Sequence, residues 1–189
     1  KDGKSVKAAT SKTFDKEEAA QAFLTKNIDA VFSVSSLEKK PAKKSPTAPF
    51  TTSTLQQEAS RKLGFSVSRT MSNAQRLYEA GHITYMRTDS VNLSKQALNE
   101  ARGVITKSYG ADYAQTRVYK TKNKGAQEAH EAIRPTNLSK MHVDAASDEQ
   151  RLYDLIWKRT ISSQMSDAKL ERTTAQISAN KHDILFTAR

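Results

Sequence analysis

The sequence predicts a mixed α+β fold, mainly α-helical, with β-strands at both ends of the chain. Three observations lead to this prediction. Residues 30–35 and 174–179 alternate apolar and polar side chains, a pattern typical of strands. Between these flanks, apolar residues recur at helical spacing. A basic stretch punctuated by proline, residues 39–49, predicts a linker between the first flank and the helical block.

The first flank is predicted to begin with a short helix. Asp15 is the expected N-cap, with Glu18 three positions later as its capping-box partner, and the helix should run to about Asn27. The strand at 30–35 follows, and the linker comes next.

The central block is predicted to contain helices that end at glycines. Gly64, Gly81 and Gly110 mark three such ends. The predicted inner faces are Leu55, Ala59 and Leu63 on the first helix; Met71, Ala74, Leu77 and Tyr78 on the second, capped by Ser66 or Ser68; and Ala97, Leu98, Ala101, Ile105 and Tyr109 on the third, which starts at Ser94. Because a short extended segment at 83–88 follows the second helix, this part resembles a helix-turn-helix with a wing.

The remainder of the block contains a basic loop and two more predicted helices. The loop spans 115–125, a fourth helix spans 126–133 and ends near Pro135, and a fifth begins at Ser147 with Gln150 as its capping partner. The strand at 174–179 and a second one around Ile184 and Phe186 complete the chain. Both flanks read as parts of a longer β-rich domain, so we expect the chain to be a piece of a larger protein.

Composition narrows the classes of partner. The formal net charge is +11 with 37% hydrophobic residues, which favours a polyanionic partner, with nucleic acid first, over a merely basic soluble protein. The longest apolar runs are only a few residues, so no membrane span is expected. The absence of cysteine excludes disulfides, Cys-ligated zinc and a thiol nucleophile from this chain.

Motif searches exclude several enzyme classes. No glycine-rich dinucleotide or P-loop motif is present, and no nucleophile-elbow serine. His130-Glu-Ala-Ile-Arg134 begins like a zinc-protease motif, but Arg134 stands where the second histidine ligand must be. Acidic residues do not cluster in the sequence, so no metal site is predicted within the chain.

The strongest chemical signal is Ile83-Thr-Tyr-Met-Arg-Thr-Asp-Ser90. Tyr85 and Arg87 are two positions apart, so in an extended segment both side chains project to the same side. A phenolic oxygen beside a guanidinium suits attack on a phosphodiester, because arginine offers fixed donors to phosphate oxygens and its charge favours the phenolate. Asp89 and the hydroxyls of Thr84, Thr88 and Ser90 are candidates to hold Arg87 or to bind a nucleic-acid backbone.

Structural roles explain the same residues equally well at this point. A tyrosine in a short strand is usually a core or edge aromatic with a bonded hydroxyl. His130 fits a surface histidine between two glutamates, and Arg134 fits a charge at a helix terminus.

Four ordered motifs add a family resemblance. Pro49-Phe-Thr-Thr-Ser-Thr-Leu-Gln-Gln57, Arg76-Leu-Tyr-Glu-Ala-Gly81, the segment 83–90, and Glu128-Ala-His-Glu-Ala-Ile-Arg-Pro-Thr136 occur in this order. Together they resemble the central part of bacterial type IA DNA topoisomerases. Met86 and the histidine motif resemble the topoisomerase I branch rather than topoisomerase III. The resemblance is close over about 49–172 and loose in the flanks.

The resemblance implies catalytic roles for three residues. Tyr85 would attack a single-stranded DNA phosphate and keep the 5′ end as a phosphotyrosine. Arg87 would bind the scissile phosphate, and His130 would contact that phosphate or assist proton transfer. Thr84, Asp89, Ser90 and Arg134 are the further DNA-binding candidates.

The resemblance also implies the domain organisation. Residues 1–45 and 172–189 would be two pieces of a β-rich arch domain, and 46–171 would be a helical, winged-helix-like gate domain that carries the tyrosine. Mg²⁺ would be bound by another domain of the same polypeptide, so this chain alone should not relax DNA. The whole enzyme would act on DNA in the cytoplasm, at the nucleoid. A non-enzymatic winged-helix DNA-binding module is the alternative, and a relative of reverse gyrase is a weaker one, since no ATPase segment is present.

Overall fold

The computed structural model describes residues 3, 5–10, 12–119 and 131–189. The chain forms two compact units. One is continuous and spans residues 45–168, and the other combines residues 1–44 with 169–189.

The continuous unit is helical. Its α-helices are α2 (Thr52–Leu63), α3 (Val67–Glu79), α4 (Lys95–Tyr109) and α5 (Ser147–Ser163), with a 3₁₀ turn at Ala111–Tyr113. Side-chain caps set three of the starts: the hydroxyls of Thr51, Ser66 and Ser94 each accept a hydrogen bond from the backbone N–H three residues on. Gly64 ends α2 with a φ of 70°, a left-handed conformation that glycine adopts without strain.

Residues from all four helices and from the segments between them form one hydrophobic core. Leu55 and Ala59 of α2, Leu77 of α3 and Ile156 of α5 are fully buried. The predicted stripes therefore hold for most positions, since Ala74, Ala97, Ala101 and Ile105 are also buried. Tyr78 and Tyr109 are exceptions, with exposed fractions of 40% and 45%.

Two local predictions in this unit are wrong. Residues 84–88 are irregular rather than a strand, and Ile83 makes only an isolated antiparallel bridge with Pro135. The backbone there is bonded to side chains and to another loop instead of to a neighbouring strand, so no regular wing forms. Residues 131–133 are extended rather than helical, because Ile133 pairs with Phe50. The remainder of the predicted fourth helix, 126–130, lies outside the described residues, as does 120–125 of the basic loop.

The second unit is a four-stranded sheet with one helix. Strands β1 (Ala9–Thr10), β2 (Phe32–Lys44), β3 (Ala168–Ala179) and β4 (His182–Ala188) are arranged in the order β1-β4-β3-β2, and helix α1 spans Glu17–Asn27. Strand β4 pairs antiparallel with both β1 and β3. The α+β fold class is confirmed, and strands from the two ends of the chain share one sheet.

Two boundaries in this unit differ from expectation. Lys16, not Asp15, is the N-cap of α1 and makes no side-chain capping bond. The basic stretch expected to be a linker is strand as far as Lys44, where Lys39 forms an ion pair of 3.0 Å with Glu171 of β3. Pro41 fits because β2 is at the end of the sheet order, where a missing N–H is tolerated. In the described part of the chain, no helix is long and apolar enough to cross a membrane.

Candidate functional site

The tyrosine segment, residues 81–90, alternates between exposed and buried side chains. Tyr85 is 38% exposed, and Arg87 and Asp89 are exposed as well. Met86, Thr88 and Ser90 are 1%, 7% and 2% exposed. The segment thus presents Tyr85, Arg87 and Asp89 to solvent at every second position, although it is not part of a sheet.

A second segment, residues 131–136, holds the tyrosine segment on one side. The Thr84 hydroxyl donates to the Ala132 carbonyl at 2.7 Å and accepts from the Arg134 N–H at 3.0 Å. The Thr84 N–H donates to the Arg134 carbonyl at 2.9 Å. Two residues further on, Thr136 bonds to the carbonyls of Gly81 and His82. These contacts fix the backbone immediately before Tyr85.

The beginning of α2 holds the segment on the other side of Tyr85. The Thr52 hydroxyl donates to the Met86 carbonyl at 2.8 Å and accepts from the Thr88 N–H at 2.9 Å. The Thr52 N–H donates to the Thr88 carbonyl at 2.9 Å. Arg87 therefore stands between two residues that are both bonded to Thr52.

Tyr85 itself contacts a neighbouring aromatic ring. The rings of Tyr78, on α3, and Tyr85 meet edge to face, with centroids 5.3 Å apart and planes at 66°. This arrangement is a favourable one for two aromatic side chains. It also explains why Tyr78, predicted for the inner face of α3, is at the surface.

Arg87 and Asp89 lie in the exposed row without forming an ion pair. Over the described residues, no ion pair or side-chain hydrogen bond of the Arg87 guanidinium is found. Among the described contacts, none between Asp89 and Arg87 supports the suggested role of Asp89 in holding Arg87. An exposed guanidinium of this kind retains its donors for an anionic ligand.

The hydroxyls of Thr84 and Ser90 are engaged inside the protein. Thr84 bonds to the 131–136 segment, as described above, and the Ser90 hydroxyl accepts from the Asn92 N–H at 3.1 Å. Their part in DNA binding, predicted from the motif, is untested; the contacts that are present give them a structural role.

Arg134 is committed to an internal ion pair. Its guanidinium donates twice to Glu131, at 3.0 and 2.5 Å, and once to the Pro135 carbonyl at 2.9 Å. The side chain of Arg134 is only 13% exposed. The other carboxylate oxygen of Glu131 accepts from the Ser94 N–H at the start of α4. The predicted contact of Arg134 with DNA is likewise untested.

Glu131 titrates below its ordinary range. Burial of the carboxylate would raise its pKa, but the hydrogen bonds from Ser94 and Arg134 and the positive charge of Arg134 outweigh burial and lower the pKa. Glu131 is therefore a charged structural anchor at neutral pH.

His130, the third predicted catalytic residue, lies outside the described residues. Ala132, two positions along the chain, accepts the hydrogen bond from Thr84 next to Tyr85.

Side chains of histidine, aspartate and glutamate are common metal ligands in proteins. Across residues 12–119 and 131–189 and the described part of the N-terminus, no group of three or more histidine, aspartate or glutamate side chains could hold a metal ion.

Thr52 and Glu131 were not predicted as part of the site. Thr52 bonds to residues more than thirty positions later, and Glu131 bonds to Ser94, 37 positions earlier. Because both contacts join distant parts of the sequence, short-range sequence patterns do not reveal them. The available signal was the run Thr51-Thr-Ser-Thr54, which is typical of a helix N-terminus. It indicates where α2 begins but not what the second threonine contacts.

Comparisons with known proteins agree on one family. A family model described as DNA topoisomerase matches residues 1–189. DNA topoisomerase 1 of Zymomonas mobilis is 56% identical over 148 residues, which is 77% of this chain and 12% of the relative. DNA topoisomerase 1 of Streptomyces coelicolor is 52% identical over 165 residues, covering 83% of this chain and 17% of the relative.

A solved structure shows the same fold. Full-length topoisomerase I from Thermotoga maritima superposes with a TM-score of 0.75 at 37% identity, covering 96% of this chain and 31% of that one. The chain spans less than a third of the length of each of these relatives. On this evidence, the chain belongs to the bacterial DNA topoisomerase I family, whose members are type IA enzymes.

Proposed function

We propose that this chain is the part of a type IA DNA topoisomerase that supplies the nucleophile, and that Tyr85 is that nucleophile. One observation carries the proposal: Tyr85 and Arg87 are exposed at alternate positions of a segment whose backbone is hydrogen-bonded on both sides. Exposure leaves both side chains accessible to a DNA strand. The bonded backbone fixes the positions from which the two side chains project, and a fixed geometry favours efficient attack.

The proposed reaction exchanges one phosphodiester for another. The Tyr85 phenolic oxygen loses its proton and forms a bond to the phosphorus of a single-stranded DNA backbone. The bond from phosphorus to the 3′ oxygen breaks, and this oxygen takes up a proton and leaves as a 3′ hydroxyl. The 5′ end remains attached to Tyr85. Because the number of phosphodiester bonds is unchanged, attack by the 3′ hydroxyl reseals the strand without ATP, and negative supercoils relax between the two steps.

Arg87 and His130 are proposed to assist at the same phosphate. The Arg87 guanidinium would donate to the non-bridging oxygens, where negative charge increases in the transition state. His130 would hydrogen-bond to the phosphate or transfer a proton. The bonds from Thr84 to Ala132 and Arg134 support this, since they join the tyrosine segment to residues two and four positions after His130.

The domain organisation and the position of the metal site belong to the same proposal. Residues 46–171 are proposed to be the gate domain, and 1–45 with 172–189 to be two pieces of the arch domain that acts as its hinge. Mg²⁺, which would assist phosphate chemistry, is proposed to bind in another domain of the same polypeptide. The 189-residue chain alone is then inactive, and the whole enzyme acts on DNA at the nucleoid in the cytoplasm.

The test replaces Tyr85 with phenylalanine in the whole enzyme. Tyr85→Phe removes only the nucleophilic oxygen, so we expect no covalent DNA adduct and no relaxation of supercoils, with single-strand binding and the unfolding temperature unchanged. Arg87→Ala should slow cleavage by about 10²–10³-fold, since a charge partner of the transition state is lost. The measurements are relaxation on gels, adduct formation after denaturation, and fluorescence anisotropy for binding. A Tyr85→Phe enzyme that still relaxes DNA would show that Tyr85 is not the nucleophile.

A further inference from the structure

The hydroxyl of Thr52 hydrogen-bonds to the backbone on both sides of Arg87. It donates to the carbonyl of the residue before Arg87 and accepts from the N–H of the residue after it, at 2.8 and 2.9 Å. The Thr52 backbone N–H adds a third bond, to the Thr88 carbonyl at 2.9 Å. Thr52 is the first residue of α2, so these three hydrogen bonds attach the backbone on both sides of Arg87 to a regular helix of the hydrophobic core.

These bonds replace those that a strand neighbour would supply. Among the residues that the structure describes, the tyrosine segment has no regular sheet partner. Met86 and Thr88 are buried, with exposed fractions of 1% and 7%. Backbone groups beside buried side chains need hydrogen-bond partners, because an unsatisfied buried group costs free energy. Removing the Thr52 hydroxyl leaves the Met86 carbonyl and the Thr88 N–H without this partner, and only the bond from the Thr52 N–H to the Thr88 carbonyl remains.

Thr51 supplies an internal comparison. It precedes Thr52 and caps the same helix, but within the described part of the chain its hydroxyl bonds only to Thr54, with oxygens 3.1 Å apart and the Thr54 N–H at 3.3 Å. Both threonines therefore support the start of α2, and only Thr52 also touches residues 86 and 88.

We propose that Thr52 is a positioning residue for the DNA cleavage reaction, which acts by holding the Arg87 backbone where the guanidinium meets the scissile phosphate. This inference rests on the proposed function of Tyr85 and Arg87. It adds a residue that touches neither DNA nor the reacting atoms and whose effect passes through Arg87.

The experiment measures single-turnover cleavage by the whole enzyme on a single-stranded oligonucleotide. Thr52→Val keeps the shape of the side chain and removes the hydroxyl, so we expect cleavage to slow by up to about 10²-fold, the loss typical of a misplaced catalytic group. Oligonucleotide affinity should change much less than the cleavage rate. Thr52→Ser restores the hydroxyl and should recover most of the rate. If Thr52→Val does not fold, Thr52→Ala is measured against Thr52→Ser in the same way.

A double-mutant cycle tests whether the effect passes through Arg87. In an Arg87→Ala background, Thr52→Val should slow cleavage further by less than about threefold, because the group that Thr52 positions is already absent. Thr51→Val is the matched control: it removes a cap from the same helix and should lower the unfolding temperature while the cleavage rate stays at the wild-type value.

Two results would overturn the inference. One is a Thr52→Val enzyme that cleaves at the wild-type rate, and the other is an equal loss of rate with and without the Arg87 side chain. Neither result affects the role of Tyr85. Conversely, adduct formation by Tyr85→Phe would refute the proposed function directly, whatever the Thr52 variants do.

Discussion

Arginine side chains in the helical unit differ in what their guanidinium groups contact. Arg134 bonds to Glu131, Arg117 to Asp167, and Arg159 to Glu58 and to the face of Phe50. Arg87 is exposed and without such a contact among the described residues. Since a guanidinium already paired with a carboxylate is partly neutralised, Arg87 is better prepared than Arg134 to bind a phosphate.

A second prediction about a single residue concerns His130. His130→Ala in the whole enzyme should slow cleavage and relaxation more than it weakens DNA binding, because a contact made in the transition state is lost. His130→Gln keeps a neutral hydrogen-bonding group. It should retain more activity than the alanine variant if hydrogen bonding to the phosphate is sufficient, which is the role we favour over proton transfer.

The measurements for His130 are the single-turnover cleavage rate and oligonucleotide affinity. His142, an exposed histidine near Asp154 and Gln150 at the surface, is the control, and His142→Ala should have no effect on cleavage. Full activity of His130→Ala would make His130 an ordinary surface histidine.

The sequence was informative about single residues whose chemistry is distinctive. A phenol and a guanidinium two positions apart suit phosphate chemistry, which predicts a role for Tyr85 and Arg87, and the structure exposes both side chains. Thr52 was not selected because threonine is common at helix starts and its partners are far away in sequence. For the same reason, the sequence does not reveal that the Thr84 hydroxyl bonds to the Ala132 carbonyl, 48 positions away.

The segment 131–136 connects three elements of the helical unit. Its backbone bonds to Phe50 before α2, to the tyrosine segment, and to Asn92 before α4. Glu131 adds a side-chain bond to the N–H of Ser94, the N-cap of α4. The arrangement indicates that one loop fixes the starts of two helices and the backbone beside Tyr85.

Glu131→Gln is expected to destabilise the 189-residue chain in a pH-dependent way. At pH 7 the loss should be about 1.5–3 kcal/mol of unfolding free energy, the scale of a hydrogen bond to a charged group. The folded state lowers the pKa of Glu131, so its stabilisation is complete above the unfolded pKa of about 4.3 and is lost as pH falls through the folded pKa. The difference between wild type and variant should be constant near neutrality and shrink in acid.

Urea unfolding at a series of pH values measures this difference. Arg134→Gln removes the other member of the ion pair and should lose stability over the same pH range. A difference between wild type and Glu131→Gln that grows in acid would contradict the assignment, since the sign follows from the direction of the pKa shift.

Helix positions were predictable because caps and stripes are local. Gly64 and Ser94 were placed correctly, and so were most buried positions. Extended segments were harder to predict from the sequence than helices. Lys39 to Lys44 read as a linker because of their charge and Pro41, yet pairing with β3 makes them a strand. Residues 131–133 carry a helical composition but are extended, since their backbone partners come from distant segments.

Charge is the property of the whole molecule that bears most on a DNA partner. The chain carries 31 lysines and arginines against 20 acidic residues. Several of the acids are already paired internally, including Glu58, Glu131, Asp148, Glu149 and Asp167. The net charge of +11 favours phosphate binding that depends little on base sequence, because neutralised phosphates release counterions.

The 189-residue chain is therefore predicted to bind single-stranded DNA weakly, with affinity that falls as salt rises. For single strands, log K should fall with log salt at a slope of about −0.7 for each phosphate contacted. Arg87→Gln should make the slope less steep by about 0.7 if its guanidinium contacts a phosphate. Arg102→Gln, at an exposed position of α4, removes the same charge outside the tyrosine segment and should leave the slope unchanged. Fluorescence anisotropy from about 20 to 200 mM salt measures the slopes. Equal slopes for the two variants would mean that Arg87 adds only net charge, and an affinity independent of salt would refute electrostatic binding altogether.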